Sequence, residues 1–415
     1  MATATGVVDN AMDGPGAYRQ LILSIVLGTI GSVGMWSVVV VLPTIQAEFG
    51  IDRAGASLPY TATMIGFAVG NVAIGRMVDR VGIRLPIILA ACSLGAGFSL
   101  AALSTQLWHF AMLQGVLIGL GAAATFGPLM ANISHWFRRR RGIAVAGVAS
   151  GNYLAGAIWP PLIQAAVEAE GWRTTHVGLG LICVLAMVPL AMFLAPNPGH
   201  SATKSKTQSA EDPPVSVDLS PRFIQTALVL AGIGCCVAMS MPQVHIVAYC
   251  ADLGYGVARG AAMLSLMLAG GVVSRLVFGH LADKIGGIRT LLFGSVLQCI
   301  SLFLFLPFDG LVSLYVVSLI FGLSQGGIVP SYALIVREYH PAREAGQRVG
   351  LVIMATVIGM ALGGWLSGLI FDLTGSYQTA FINGIAFNMF NIAVVVMILW
   401  RSKLTPDGAP VASPA

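Results

Sequence analysis

One residue in this chain is out of place by type. In "GGVVSRLVFGHLADKIG", residues 270–286, Arg275 interrupts an apolar run otherwise long enough to cross a bilayer. A guanidinium keeps its charge and presents a planar fork of donors, so it grips a carboxylate through two parallel hydrogen bonds. Near the middle of a span it costs ~2.5–3.5 kcal/mol on insertion scales, which confines it to a wet cavity or a partnered site. The 17 acidic residues all fall in loops, tails or span ends, and the nearest on its own helix is Asp283. A fixed cation without an internal anion is a ready site for an external one. A second reading stays open: Gly279 is only ~6 Å further along the helix, so the side chain is within snorkelling reach of the interface.

Two more residues have the chemistry to carry a proton. His245 is the one histidine well inside a span, and imidazole titrates near neutral pH; a structural histidine is the alternative. Asp252 stands at the mouth of the following turn, as a proton acceptor or as a helix-ending Asp ahead of Gly254. The chain also carries two copies of one short loop, "GRMVDRVGIR" from Gly75 and "GHLADKIGGIR" from Gly279. They set Asp79, Arg80 and Arg84 in the first copy against Asp283 and Lys284 in the second. Gly75, Gly82, Gly279 and Gly286 suit close helix approach and tight turns, and the acids are placed to meet cations and a helix N-terminus. No phosphate-cradling loop, metal-ligand spacing or catalytic triad is found, so no cofactor, no metal and no enzymatic activity are expected.

The elements that position these groups are membrane spans. The 415 residues are 56% hydrophobic and only 9% charged, with a mean hydropathy of +0.84, whereas soluble domains carry about a quarter charged residues. A helix needs ~20 apolar residues to cross the hydrocarbon. Residues 20–47, 54–75, 142–167, 174–203, 223–251, 290–308, 310–336, 349–371 and 373–400 each hold one span; 85–137 holds two with a turn near Trp108–His109; and 260–282 adds the one bearing Arg275. Twelve spans are expected in an all-α membrane protein. The first is too long for a signal-peptide core and is read as retained. Cys92, Cys183, Cys235, Cys236, Cys250 and Cys299 lack metal-like spacing and are expected as packing residues.

Arg19, Arg76, Arg80, Arg84, Arg138 to Arg141, Lys204, Lys206, Arg222, Lys284, Arg289, Arg337, Arg343, Arg348, Arg401 and Lys403 share one side, leaving Arg53, Arg173 and Arg259 opposite. Positive charge marks the cytoplasmic side, so both termini are expected there. The net charge of +5 then reflects topology and attraction to anionic lipid, with no nucleic-acid partner. The two loop copies lie 204 residues apart, and the offset recurs between Gly142 and Gly346 and between "GWRTT" at Gly171 and "GSYQT" at Gly375. The expected organisation is a polar tail (1–16), a six-span bundle (17–194), a Pro- and Ser-rich cytoplasmic linker (195–220), a second six-span bundle (221–400) and a tail (401–415). An even number of spans per half makes the repeat parallel.

The repeated loop, the twelve spans and the duplication resemble the major facilitator superfamily over nearly the whole chain. The resemblance implies two pseudo-symmetric six-helix bundles and alternating access, with the repeated loops forming a cytoplasmic gate. "WFRRRRGIAVAGVASG", from Trp136, and the arginine of span 8 are similar to the monocarboxylate-porter and oxalate/formate-antiporter group, whose bacterial members this chain resembles more than the animal ones. Several animal members carry an acid one turn before the arginine, where this chain has Gly271. In that architecture spans 1, 4, 7 and 10 surround the path and 2, 5, 8 and 11 flank it. The implied substrate contacts are Arg275, Tyr332 and Tyr153, with Asn152, Gln325, Trp36, Phe126 and Asn71, the repeat-mate of Arg275. Small residues at Gly142, Gly147, Gly151 and Gly156 suit close packing of span 5, and Pro160–Pro161 a bend in it. The expectation is a secondary transporter in a bacterial inner membrane, functional as a monomer, moving a small monocarboxylate with or without protons. The alternatives are an organic-anion exchanger and an efflux carrier for a hydrophobic compound.

Overall fold

In a computed structural model, residues 13–137, 140–195, 220–340 and 342–403 are described. The expected linker, most of both tails, and Arg138 and Arg139 lie outside them. The described residues are helical almost throughout. Span 1 is Pro15–Gly31 and Val33–Phe49, span 2 Arg53–Val81 and span 3 Arg84–Ala101. Span 4 is assembled from Leu107–Leu113, a wide π-type turn at Gln114–Gly119, Leu120–Ala123 and Gly127–Ile133. One continuous stretch, Arg141–Met192, holds spans 5 and 6: its backbone leaves the helical region at Gly171 (φ 79°, ψ 160°), where the chain reverses. Spans 7, 8 and 9 are Pro221–Asp252, Val257–Ile285 and Gly287–Leu304. Span 10 is split into Leu311–Gln325 and Ile328–Tyr339; span 11 is Ala342–Thr374 and span 12 Tyr377–Lys403. The twelve spans form the two pseudo-symmetric six-helix bundles expected.

Local chemistry sets the ends. Asp52 caps span 2 by accepting from Gly55 N at 2.7 Å, and Ser220 caps span 7, which opens on Pro221, both satisfying N–H groups that a helix start leaves free. The turn before span 4 falls at Leu103–Gln106, a little earlier than expected, with Trp108 and His109 already in the helix. The polar run Ser104, Thr105, Gln106 ends the apolar stretch there, and Trp108 follows it exposed. Span 5 runs through Pro160 and Pro161 with helical backbone. Of its glycines, Gly151 meets the backbone of Gly28 and Gly156 meets Trp36 and Leu268, whereas nothing lies within 4 Å of a Cβ built on Gly142. All six cysteines are free thiols, five of them buried.

The spans alternate in direction, giving a basic face, where Arg76, Arg80, Arg84, Lys284 and Arg289 lie, and an opposite face, where spans 1 and 2, and 7 and 8, are joined. The two bundles meet along two seams. Span 2 packs on span 11, with Thr61 Oγ1 donating to Ala361 O at 3.0 Å; a Cβ on Gly364 would lie 2.9 Å from the Tyr60 ring and one on Gly368 2.8 Å from Arg53 O. Span 5 packs on span 8, where Ser265 Oγ donates to Ala157 O. Among hydrogen bonds whose partners are both described, every one joining the bundles lies between the level of Arg275 and the opposite face. Towards the basic face no hydrogen bond between described residues joins them. Asp79 and Asp283 are exposed, and Gly75 and Gly279 face open space. The close approach expected at these two glycines is therefore absent in this conformation, whereas the turn expected at Gly82 (φ 78°) and Gly286 (φ 82°) is present.

Candidate functional site

Arg275 does not reach for the interface. It is 8% exposed and turns across the molecule, Nε donating to Gly326 O at 3.2 Å and Nη1 to Ala149 O at 2.5 Å. The guanidinium carbon lies 4.3 Å from the centre of the Tyr153 ring. Snorkelling is thus set aside: the charge sits at a junction of spans 5, 8 and 10. Among the described residues no carboxylate is within ion-pair distance of it. Two carbonyl dipoles and the face of a phenol stabilise the cation while leaving its charge unneutralised.

The junction exists because span 10 breaks there. Gly326 N donates to Ser274 Oγ at 3.1 Å, and a Cβ on Gly326 or Gly327 would run into Gly271, Ser274, Arg275 or Phe278 of span 8. On the other side, Gly271 lets the Tyr153 ring lie against span 8; a Cβ there would sit 3.2 Å from that ring. The first bundle repeats the arrangement in neutral form. Asn71, on span 2, accepts from Gly127 N at 3.2 Å and donates to Phe67 O at 2.8 Å, pinning the break in span 4 at Phe126, whose ring lies 5.7 Å from that of Phe67.

The other candidates are distributed around this junction. Asn152 accepts from Trp36 Nε1 through both its backbone and side-chain oxygens, each at 3.0 Å, tying span 5 to span 1. Gln325 Oε1 accepts from Gln243 Nε2 at 2.6 Å, leaving Gln243 Oε1 and Gln325 Nε2 buried without partners. Tyr332 is not brought to Arg275: its hydroxyl donates to Asn391 Oδ1 at 2.6 Å, and Asn391 reaches Ser295 Oγ at 2.8 Å, inside the packing of spans 9, 10 and 12.

His245 and Asp252 lie far from that cluster, near the opposite face. His245 is fully buried; Nε2 lies 2.7 Å from Gly364 O and Nδ1 3.1 Å from the Tyr377 hydroxyl. A carbonyl only accepts, so Nε2 carries the proton and Nδ1 accepts from the phenol. Asp252 takes both oxygens to Arg53 Nη2, at 2.9 and 3.0 Å, and does not serve as a cap. Arg53, Asp372 and Tyr377 were not among the sequence candidates; Arg53 and Asp372 find their partners in the opposite bundle, Tyr377 finds His245 132 residues away, and no local pattern marks them. Among the loop residues of the basic face, Arg84 Nε donates to Leu194 O, while Arg80 and Lys284 are exposed.

The architecture is that of a twelve-helix membrane protein with a charged junction between two similar bundles. Residues 25–347 and 251–413 match the sequence profile of the Major Facilitator Superfamily, and the chain belongs to that family. It is a transporter and not an enzyme. Monocarboxylate transporter 13 of Bos taurus is 26% identical over 351 residues, covering 83% of this chain and 79% of its own. An uncharacterized MFS-type transporter of Bacillus subtilis (strain 168), YcxA, is 26% identical over 345 residues, covering 81% and 83%. Among solved structures, a bacterial homologue of the human lysosomal transporter Spinster, in an inward-facing and unoccupied conformation, superposes with a TM-score of 0.70 at 14% identity, covering 94% of this chain and 96% of that one.

Proposed function

We propose that this carrier moves a small organic monocarboxylate by alternating access, with Arg275 as the anion anchor. The observation that carries the reading is the state of that guanidinium: buried between the bundles, stacked on Tyr153 and held only by neutral acceptors. A carboxylate entering the junction takes the place of a carbonyl and makes the two-bond contact that a guanidinium favours. Tyr153 then covers the ligand's apolar side, and the unpartnered amide atoms of Gln243 and Gln325 lie at comparable depth. The naming of relatives as monocarboxylate transporters supports the same class.

The basic face is read as cytoplasmic on its charge, in a bacterial inner membrane, and the conformation as open to the inside, like the Spinster homologue. Asp79, Asp283 and the loops around them are the gate that closes on the alternate stroke. With both ring nitrogens of His245 engaged, a translocated proton travels with the substrate. Exchange of one carboxylate for another is the second reading, and a specific bond favours it: Arg275 Nη1 on Ala149 O ties the empty bundles together.

The test is uptake of labelled C1 to C6 acids into proteoliposomes by wild type, Arg275→Lys and Arg275→Gln. Lys keeps the charge and loses the fork, so both variants should insert normally and lose transport by at least about tenfold. Wild-type rates in both would remove the anchor role.

A further inference from the structure

The duplicated sequence places an acid at the end of span 1, Glu48, and its mate 204 residues later, Asp252, at the end of span 7. The two acids have opposite fates. Glu48 is satisfied within its own bundle: Arg173 Nη1 reaches it at 2.5 Å and Trp172 Nε1 donates to it at 2.5 Å. The mate of Arg173 is Tyr377, so the second bundle offers Asp252 no cation at that place. Asp252 instead crosses the seam to Arg53, which is 6% exposed although it begins a span.

Arg53 is buried mainly against residues of the other bundle. Its guanidinium lies 4.9 Å from the ring centre of Phe371 and 5.7 Å from that of Tyr377. Its backbone N donates to Asp372 Oδ1 at 2.9 Å, and Ala54 N donates to Asp372 Oδ2 at 2.7 Å. Asp372, on span 11, thus satisfies two free N–H groups at the start of span 2, where a carboxylate is also favoured by the helix dipole. Gly368 allows the backbones to meet, since a Cβ there would lie 2.8 Å from Arg53 O. A recess of about 370 Å³ lined by Pro43, Gln46, Ile51, Arg53 and Asp252 reaches this cluster from the opposite face.

We infer that Arg53, Asp252 and Asp372 form a latch that holds the opposite face shut, and that breaking it is a step in opening the carrier to that side. An ion pair within one bundle survives rocking of the bundles; one across the seam does not. The asymmetry between Glu48 and Asp252 therefore makes Asp252, and not its mate, the acid of this pair that senses which way the carrier faces. The latch stands on the family assignment and is independent of the carboxylate reading.

The experiment uses the full-length carrier in proteoliposomes, with native cysteines replaced and a reporter Ala361→Cys at the span 2–span 11 seam. Arg53→Gln, Asp252→Asn and Asp372→Asn should each raise maleimide labelling of the reporter from the opposite face, by about tenfold for the two ion-pair variants. The swap Arg53→Asp with Asp252→Arg should return labelling towards the parent, which a merely misfolded seam would not do. Parent-level labelling in Arg53→Gln and Asp252→Asn overturns the latch. So does raised labelling in the single variants that the swap leaves unchanged.

Discussion

Arg275 and His245 are both buried cationic-type side chains in apolar spans, yet their partners assign them different work. His245 has a carbonyl on one nitrogen and a phenol on the other, so its hydrogen-bonding capacity is filled, and we propose that it braces spans 7, 11 and 12. His245→Gln keeps one donor and one acceptor, and it should preserve stimulation of uptake by an inward proton gradient while lowering thermal stability by about 1–3 kcal/mol through imperfect geometry. Loss of that stimulation with stability intact would make His245 the proton carrier after all. Arg275 was legible in sequence because charge in a hydrophobic run is conspicuous. The direction of its side chain was not: it depends on Gly326 and Ala149, 51 and 126 residues away. Tyr332 shows the converse. Its type and depth suited a ligand contact, and only the fold reveals that Asn391 claims its hydroxyl.

At the level of elements, the spans themselves could be read with little error, because ~20 apolar residues and flanking cations are a long signal. The breaks inside them could not. Span 4 leaves the helix at Phe126 (φ −119°, ψ −88°) and span 10 at Gly326–Gly327, each held by a polar side chain from the span that ends in a repeated loop. Such breaks are tolerated at membrane depth when a neighbour satisfies the freed backbone groups, which is what Asn71 and Ser274 do. Gly326→Ala should therefore push span 10 off span 8, at an overpacking cost of about 1–3 kcal/mol. The measurements are thermal stability in detergent and uptake, and both should fall together. Unchanged values for both would show that the break is not set by contact with span 8.

Across the whole molecule, the hydrogen bonds between described residues that join the two bundles all lie from the level of Arg275 to the opposite face. Asp79 and Asp283 have no ion-pair partner among the described residues in this state, so neutralising them removes no such pair from this conformation. If their contacts belong to the alternate state, Asp79→Asn and Asp283→Asn should weaken that state alone, shifting the population towards the one seen here. Gly368→Val should push the other way, because a side chain there meets Arg53 O and Ser57 Oγ across the closed seam. Cysteine accessibility measured from both sides reads the two shifts. Movement in the same direction for the acid and glycine variants would contradict the two-state picture. The seam itself is invisible in sequence: Arg53 is there one of three cations on the opposite side, and its partner is 199 residues distant.

The unneutralised guanidinium also has an electrical consequence. On the proposed reading, and for a carboxylate that binds without a proton, a site that is +1 when empty becomes neutral when loaded. The loaded carrier then reorients without moving net charge, while the empty one carries its arginine through part of the membrane field. A full crossing is worth about 2.3 kcal/mol per elementary charge per 100 mV. With a negative interior, the empty site is drawn inward and its return outward is slowed. Net uptake should accordingly fall as the interior is made more negative, whereas carboxylate-for-carboxylate exchange, which never uses the empty limb, should be indifferent to voltage. Clamping proteoliposomes with potassium and valinomycin separates the two fluxes, and equal voltage dependence of both would mean that the charge of Arg275 is balanced at every stage of the cycle.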